Sequence, residues 1–164
     1  MAVVIRVGIA EVNVVMRPDS ICTLGLGSCV GLVLFDEVRK LGGMVHVMLP
    51  STELAKGKAF NPAKFADSGI PALVELVVKA GADRRRLIAK MAGGAQMFSR
   101  TAESGDSLLK IGPRNVDACR DILQKLNIPL VAEDTGGSFG RTIELFSENG
   151  MLEVRAIGRD KKMI

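Results

Sequence analysis

Thr23-Leu-Gly-Leu-Gly-Ser-Cys29 runs without a break into Val30-Gly-Leu-Val-Leu-Phe-Asp36, and Met44-Val-His-Val-Met-Leu-Pro50 comes shortly after. The fold turns on how this stretch is read. Gly25 and Gly27 after an apolar segment suggest the phosphate-binding turn of a dinucleotide fold, but the third glycine falls at Gly31 rather than at position 30. The next segment is a second apolar strand instead of a helix, so the dinucleotide fingerprint fails on both spacing and context. The glycines are better read as a sharp backbone turn before Cys29, one that leaves amide N–H groups exposed to a reacting carbonyl oxygen.

Val30–Phe35 and Met44–Leu49 are apolar on both faces, as expected of strands in a sheet covered on both sides. If Asp36-Glu-Val-Arg39 forms a four-residue loop, Phe35 pairs with Lys40, and the antiparallel count sets Cys29 opposite His46, the only histidine in the chain. Directly opposed side chains have Cβ atoms about 4.5–5.5 Å apart, within contact range for sulfur and imidazole. Reversal at Gly42-Gly43 would instead set His46 against the Asp36–Lys40 region. On the residues alone both remain open, as do the packing readings: a small buried cysteine, and a core histidine flanked by Met44 and Met48.

Elsewhere the pattern is mixed. Val3–Met16 alternates like one strand, and Leu87–Met91 and Leu130–Ala132 read as short strands. Arg141–Phe146 and Met151–Ala156 flank the turn dipeptide Asn149-Gly150. Ile70, Leu73, Val74, Val77 and Val78 recur at helical spacing within about 66–80, with Gly81 as the stop; a second helix is expected from about Asn115 to Leu126, before Pro129. The fold class is therefore mixed α/β.

At 164 residues and 48% hydrophobic, the chain suits one domain over 1–164 that buries roughly two thirds of its unfolded surface, with 159–164 expected as a flexible basic tail. No segment is apolar and long enough to span a bilayer, and the N-terminus lacks the continuous apolar core of a signal peptide, so a cytoplasmic protein without membrane insertion is expected. Cys22, Cys29 and Cys119 are an odd set of thiols, expected to be reduced. Cys22 and Cys119 fit packing positions. One histidine and scattered cysteines do not match metal-site spacing, and no metal or cofactor is expected.

A net charge of +4 suits an acidic partner, but Arg84-Arg85-Arg86 and Arg159–Lys162 are the only basic clusters and aromatics make up 4%. With so few stacking platforms, nucleic acid is not the expected partner. Gly93-Gly94 and Thr135–Gly140 read as turns whose amides are able to cradle an anion, and Phe98 as an aromatic at a partner interface or a buried contact.

Six segments, LGSCVGLVLFD, GGMVHVMLP, KFADSGIPALVELV, AKMAGGAQMF, IGPRNVDACRDIL and IPLVAEDTGGSFGRT, occur in this order and resemble the CheD family of chemoreceptor glutamine deamidases along nearly the whole chain. The resemblance implies a fold of two β-sheets packed between helices, an α/β/β/α sandwich similar to cysteine-dependent deamidating toxins. It implies hydrolysis of glutamine side chains on chemoreceptor cytoplasmic helices to glutamate, with Cys29 as nucleophile, His46 as base and Thr23 as the third catalytic residue. Ser28 and Gly27 are the expected oxyanion or substrate-binding positions. A CheC-type chemotaxis phosphatase is the implied partner, and a noncatalytic adaptor for that phosphatase or the receptor is the alternative function.

Overall fold

The computed structural model describes residues 1–97 and 110–164; Phe98 lies outside them. Two strands form its centre because their sequences are apolar on both faces. Strand β4 (Val30–Asp36) and strand β5 (Leu41–Val47) are buried at every residue. Their two faces meet different partners, which divides the interior into two layers.

On one face Val30, Leu32, Leu34, Val45 and Val47 pack with Ile70, Leu73 and Val77 of helix α1 (Ala66–Ala80) and with Val116, Cys119 and Leu123 of helix α2 (Ile111–Lys125). On the other face Val33, Phe35 and Met44 pack with Ile21, Leu26, Ile143, Leu145, Leu152 and Val154, which belong to the second sheet. Helical spacing of apolar residues and period-2 alternation thus serve adjacent layers.

The remaining strands are β1 (Val4–Arg6), β2 (Val12–Met16), β3 (Ser20–Leu26), β6 (Ile88–Gly93), β7 (Leu130–Thr135), β8 (Arg141–Phe146), β9 (Leu152–Arg155) and β10 (Lys162–Met163). The sheets have the orders β1-β3-β8-β9-β10 and β2-β5-β4-β6-β7. The mixed α/β class and the two packed sheets are as the sequence led one to expect. Both described helices cover the same sheet, however. Among the described residues the order is α/β/β, and the outer face of the other sheet carries polar side chains such as Ser20, Glu144, Glu153 and Arg155.

The single strand expected over Val3–Met16 is two strands in two sheets. β1 runs parallel to β3, whereas β2 runs antiparallel to β5. Between them Ala10 takes a left-handed conformation (φ 59°), which ends the alternation and carries the chain across the sandwich. α1 has the expected span and stops at Gly81 (φ 122°), with Pro71 in its second turn. α2 starts ahead of Asn115, because Gly112 and Pro113 occupy its first turn, where a missing N–H costs nothing. Residues 159–164 are not a free tail: Lys162 and Met163 pair with Val154 and Glu153, and Lys90 Nζ donates to the Ile164 carbonyl at 2.9 Å.

Candidate active site

The chain crosses between the sheets twice near one spot. Residues 7–11 carry it from β1 to β2, and residues 27–29 carry it from β3 to β4. His46 lies beside the first crossing: its backbone N–H donates to the Glu11 carbonyl at 3.1 Å, and its carbonyl accepts from the Ala10 N–H at 3.0 Å. Cys29 ends the second.

The β4–β5 hairpin sets their relationship. Asp36 pairs with Leu41, so the loop is Glu37–Lys40 and the register places His46 opposite Gly31. The expected direct opposition of Cys29 and His46 is therefore displaced by two residues. The cause is Asp36, which stays in the strand because its buried carboxylate accepts from the Val38 and Arg39 N–H groups, from the Asp83 N–H at 2.8 Å, and from Arg86 Nε and Nη2 at 2.9 and 3.0 Å. Residues two apart project to the same side of a strand, and opposed residues do likewise. Gly31 and His46 thus share the inter-sheet face, and Cys29, in the turn before β4, packs against the cluster on that face. Gly31 fits there because a Cβ would lie 2.6 Å from Ile143 Cδ1.

Thr23 reaches across from the other sheet. Its Oγ1 lies 2.7 Å from the Val7 carbonyl oxygen and 2.7 Å from His46 Nδ1. The carbonyl only accepts, so the hydroxyl proton goes to Val7 and Oγ1 accepts the Nδ1–H. This assigns the neutral ring as the Nδ1–H tautomer with a lone pair on Nε2. Nε2 is buried and has no hydrogen-bond partner among the described residues.

Thr23 and His46 are fully buried, while Cys29 is partly exposed. Burial lowers the His46 pKa and raises that of Cys29, the latter partly offset by the cysteine's own N–H. Desolvation disfavours both charged forms, so the resting pair is thiol and neutral imidazole.

The backbone of the cysteine turn is held by its carbonyls. Gly27 C=O accepts from the Ala95 N–H at 2.9 Å, Ser28 C=O from Asn115 Nδ2 at 2.9 Å, and Cys29 C=O from the Gly94 N–H at 2.8 Å. The Gly27 N–H is spent on the Gly25 carbonyl, so the expectation that Gly27 donates to an oxyanion does not hold. Among the described residues, the Ser28 and Cys29 N–H groups have no acceptor beyond the Cys29 sulfur. The glycine loops brace this turn: Gly136 N–H donates to the Gly93 carbonyl at 3.0 Å, and Gln96 N–H to the Gly137 carbonyl at 2.9 Å.

Of the other thiols, Cys22 is buried and Cys119 is fully buried between helix and sheet, with its pKa pushed up to about 12 by burial. Asn115 escaped the sequence reading as anything beyond the start of a helix. A groove of about 610 Å³ bounded by Leu24, Phe139, Arg155 and Ile157 lies on the outward side of β3, where Leu24 projects and Thr23 does not. It holds no acid–base pair.

A thiol at a turn whose amide N–H groups lack backbone acceptors among the described residues, and an imidazole whose tautomer is fixed by a buried hydroxyl, are groups suited to nucleophilic acyl transfer. A family model described as CheD chemotactic sensory transduction matches residues 48–156. The chain is 50% identical over 161 residues to a probable chemoreceptor glutamine deamidase CheD from Caldanaerobacter subterraneus subsp. tengcongensis, covering 98% of each chain. It is 48% identical over 163 residues to the chemoreceptor glutamine deamidase CheD of Bacillus subtilis, covering 99% of this chain and 97% of that one. Among solved structures, the Bacillus licheniformis hypothetical protein YfiH is similar at TM-score 0.45 and 15% identity, covering 76% of this chain and 49% of that one. The chain belongs to the CheD family.

Proposed function

We propose that this protein deamidates glutamine side chains on the cytoplasmic helices of chemotaxis receptors through a Cys29 thioester. The observation that carries the reading is the Thr23–His46 hydrogen bond, which leaves Nε2 as an unprotonated base, without a partner among the described residues, on the face against which Cys29 packs. The names of the relatives supply the substrate class.

As Cys29 Sγ attacks the glutamine δ-carbon, His46 Nε2 takes the thiol proton. The Ser28 and Cys29 N–H groups receive the oxyanion. Collapse breaks the C–N bond, and the proton on Nε2 passes to the leaving nitrogen, which departs as ammonia. Water then adds to the thioester, giving its proton to Nε2, and a second collapse releases glutamate and returns that proton to sulfur. Cys29, the exposed member of the cluster, is where the substrate enters.

The test is mass spectrometry of a purified receptor cytoplasmic domain after incubation with wild type, Cys29→Ser or His46→Ala. Amide-to-acid conversion at defined glutamines by wild type alone is the expected result. Wild type that leaves receptors unchanged while binding them or a CheC-type phosphatase would transfer the reading to an adaptor. The proposal includes that phosphatase as partner and the cytoplasm as location; co-purification from cells checks the first and fractionation the second.

A further inference from the structure

Asn115 is fully buried, at the start of α2, remote in sequence from both halves of the site. Its Nδ2 donates to two carbonyls, Ser28 and Met48, each at 2.9 Å. One belongs to the residue before Cys29, the other to the end of the strand that carries His46. Both acceptors need donors, which fixes the amide orientation. The opposite end, Oδ1, is buried without a hydrogen-bond partner among the described residues.

That orphaned oxygen is informative. An unsatisfied buried acceptor costs about 1–3 kcal/mol, so an asparagine is a poor choice for stability alone at this position. What it secures is direction. The Ser28–Cys29 peptide is trans, the one cis bond in the described chain being Arg17–Pro18. In a trans peptide the C=O and the following N–H point in opposite directions. Anchoring the Ser28 carbonyl on α2 therefore turns the Cys29 N–H away from the helix, toward its own sulfur, where it lowers the thiol pKa. The second bond, to Met48, ties that peptide plane to the strand end beyond His46.

We infer that Asn115 is a positioning residue that orients the Cys29 amide as an oxyanion donor and keeps the turn in register with β5. The inference rests on the deamidase reading and extends it to a residue that touches neither substrate nor reacting atoms.

The experiment compares wild type, Asn115→Ala and Asn115→Ser by ammonia release from a receptor cytoplasmic domain, by the rate of Cys29 carboxamidomethylation with iodoacetamide mapped at peptide level, and by thermal melting. Displacement at sulfur by iodoacetamide forms no oxyanion, so loss of the donor reaches it only through the rise in thiol pKa that follows when the Cys29 N–H leaves the sulfur. Expected for Asn115→Ala is a kcat lower by about 10²-fold, the scale of one lost oxyanion donor, with KM and alkylation rate within about threefold of wild type. Asn115→Ser keeps one donor and should recover about tenfold of the loss.

A folded Asn115→Ala with near wild-type kcat overturns the inference. So does alkylation that falls in step with kcat, since the asparagine would then act on the sulfur or on the fold at large. If Asn115→Ala does not melt cooperatively, Asn115→Ser decides by the same ratio of kcat to alkylation rate. Wild type that releases no ammonia from any receptor fails the deamidase reading itself and the inference with it, a result distinct from an active wild type matched by its variants.

Discussion

Thr23 Oγ1 sits 2.7 Å from both the Val7 carbonyl oxygen and His46 Nδ1, bridging the two sheets through one hydroxyl. The arrangement is a tautomer lock. With its proton committed to Val7, Thr23 offers His46 only a lone pair, and the ring answers with Nδ1–H. Thr23→Val keeps the shape but removes both bonds, leaving the ring free to take the inactive tautomer. Loss of such an orienting partner typically costs about 10–100-fold. Thr23→Val should lose activity on that scale with little change in KM, and Thr23→Ser should retain most of it; steady-state kinetics on a receptor domain checks both.

His46 is the only histidine, which makes its titration separable. Burial lowers its pKa, so as pH falls below the unfolded value of ~6.5 the unfolded chain takes up a proton that the folded chain refuses. The unfolded state then binds more protons, and stability declines as pH drops from about 7 to about 5, a range above the ordinary carboxylate titrations. Urea unfolding across this range should show the decline in wild type and its absence in His46→Gln. The same shift places the acid limb of kcat/KM below pH ~6.5, and the raised Cys29 pKa places the alkaline change above ~8.5, leaving a broad plateau.

The contrast between Cys29 and Asn115 shows what the sequence made legible. Cys29 ends a glycine-rich turn and His46 lies on an apolar strand, and the side chain of each suggests its chemistry; Thr23, an ordinary strand residue by its type, entered through the family resemblance alone. Asn115 acts on two backbone carbonyls, which every residue carries, so no side-chain pattern announces its partners. The break within Val3–Met16 was hidden for a similar reason. Alternation continues across Ala10, and only the left-handed backbone there, which the sequence does not mark with glycine, moves the second half to the other sheet. The hairpin register was missed because a polar Asp36 reads as loop until Arg86, distant in sequence, is seen to neutralise it inside the strand.

Gly93 gives a test of the bracing around the cysteine turn. Its φ is 112°, and a Cβ built on it would lie 2.3 Å from the Cys29 carbonyl oxygen, the acceptor of the Gly94 N–H. Gly93→Ala must shift that carbonyl as well as strain the backbone, by about 1–3 kcal/mol for the conformation alone. A displacement of about 1 Å at a reacting group is enough to cost about 10²-fold, so activity should fall at least that far. Gly57 is the matched control: its φ is also positive, at 75°, but nothing lies within 4 Å of its Cβ position. Gly57→Ala should lose about 1 kcal/mol and leave kcat unchanged.

Asp36 separates stability from chemistry in the opposite way. Burial alone pushes its carboxyl up, but Arg86 and the Asp83 and Arg39 N–H groups outweigh that and bring its pKa to about 2. A folded pKa held below the unfolded ~3.9 stabilises above that value, and the benefit is lost as pH falls toward 2. The shift corresponds to about 2 kcal/mol at neutral pH. Asp36→Asn should therefore lower Tm by about 4–8 °C for a chain of this size and abolish that part of the acid sensitivity. Its effect on kcat should be small. The Asp36–Leu41 pairing is continued by six further β4–β5 pairs, from Phe35–Gly42 to Val30–Val47, and these keep His46 opposite Gly31 once the chain has folded. A large fall in kcat in a folded Asp36→Asn would mean instead that the turn, rather than the ladder, holds the histidine in place.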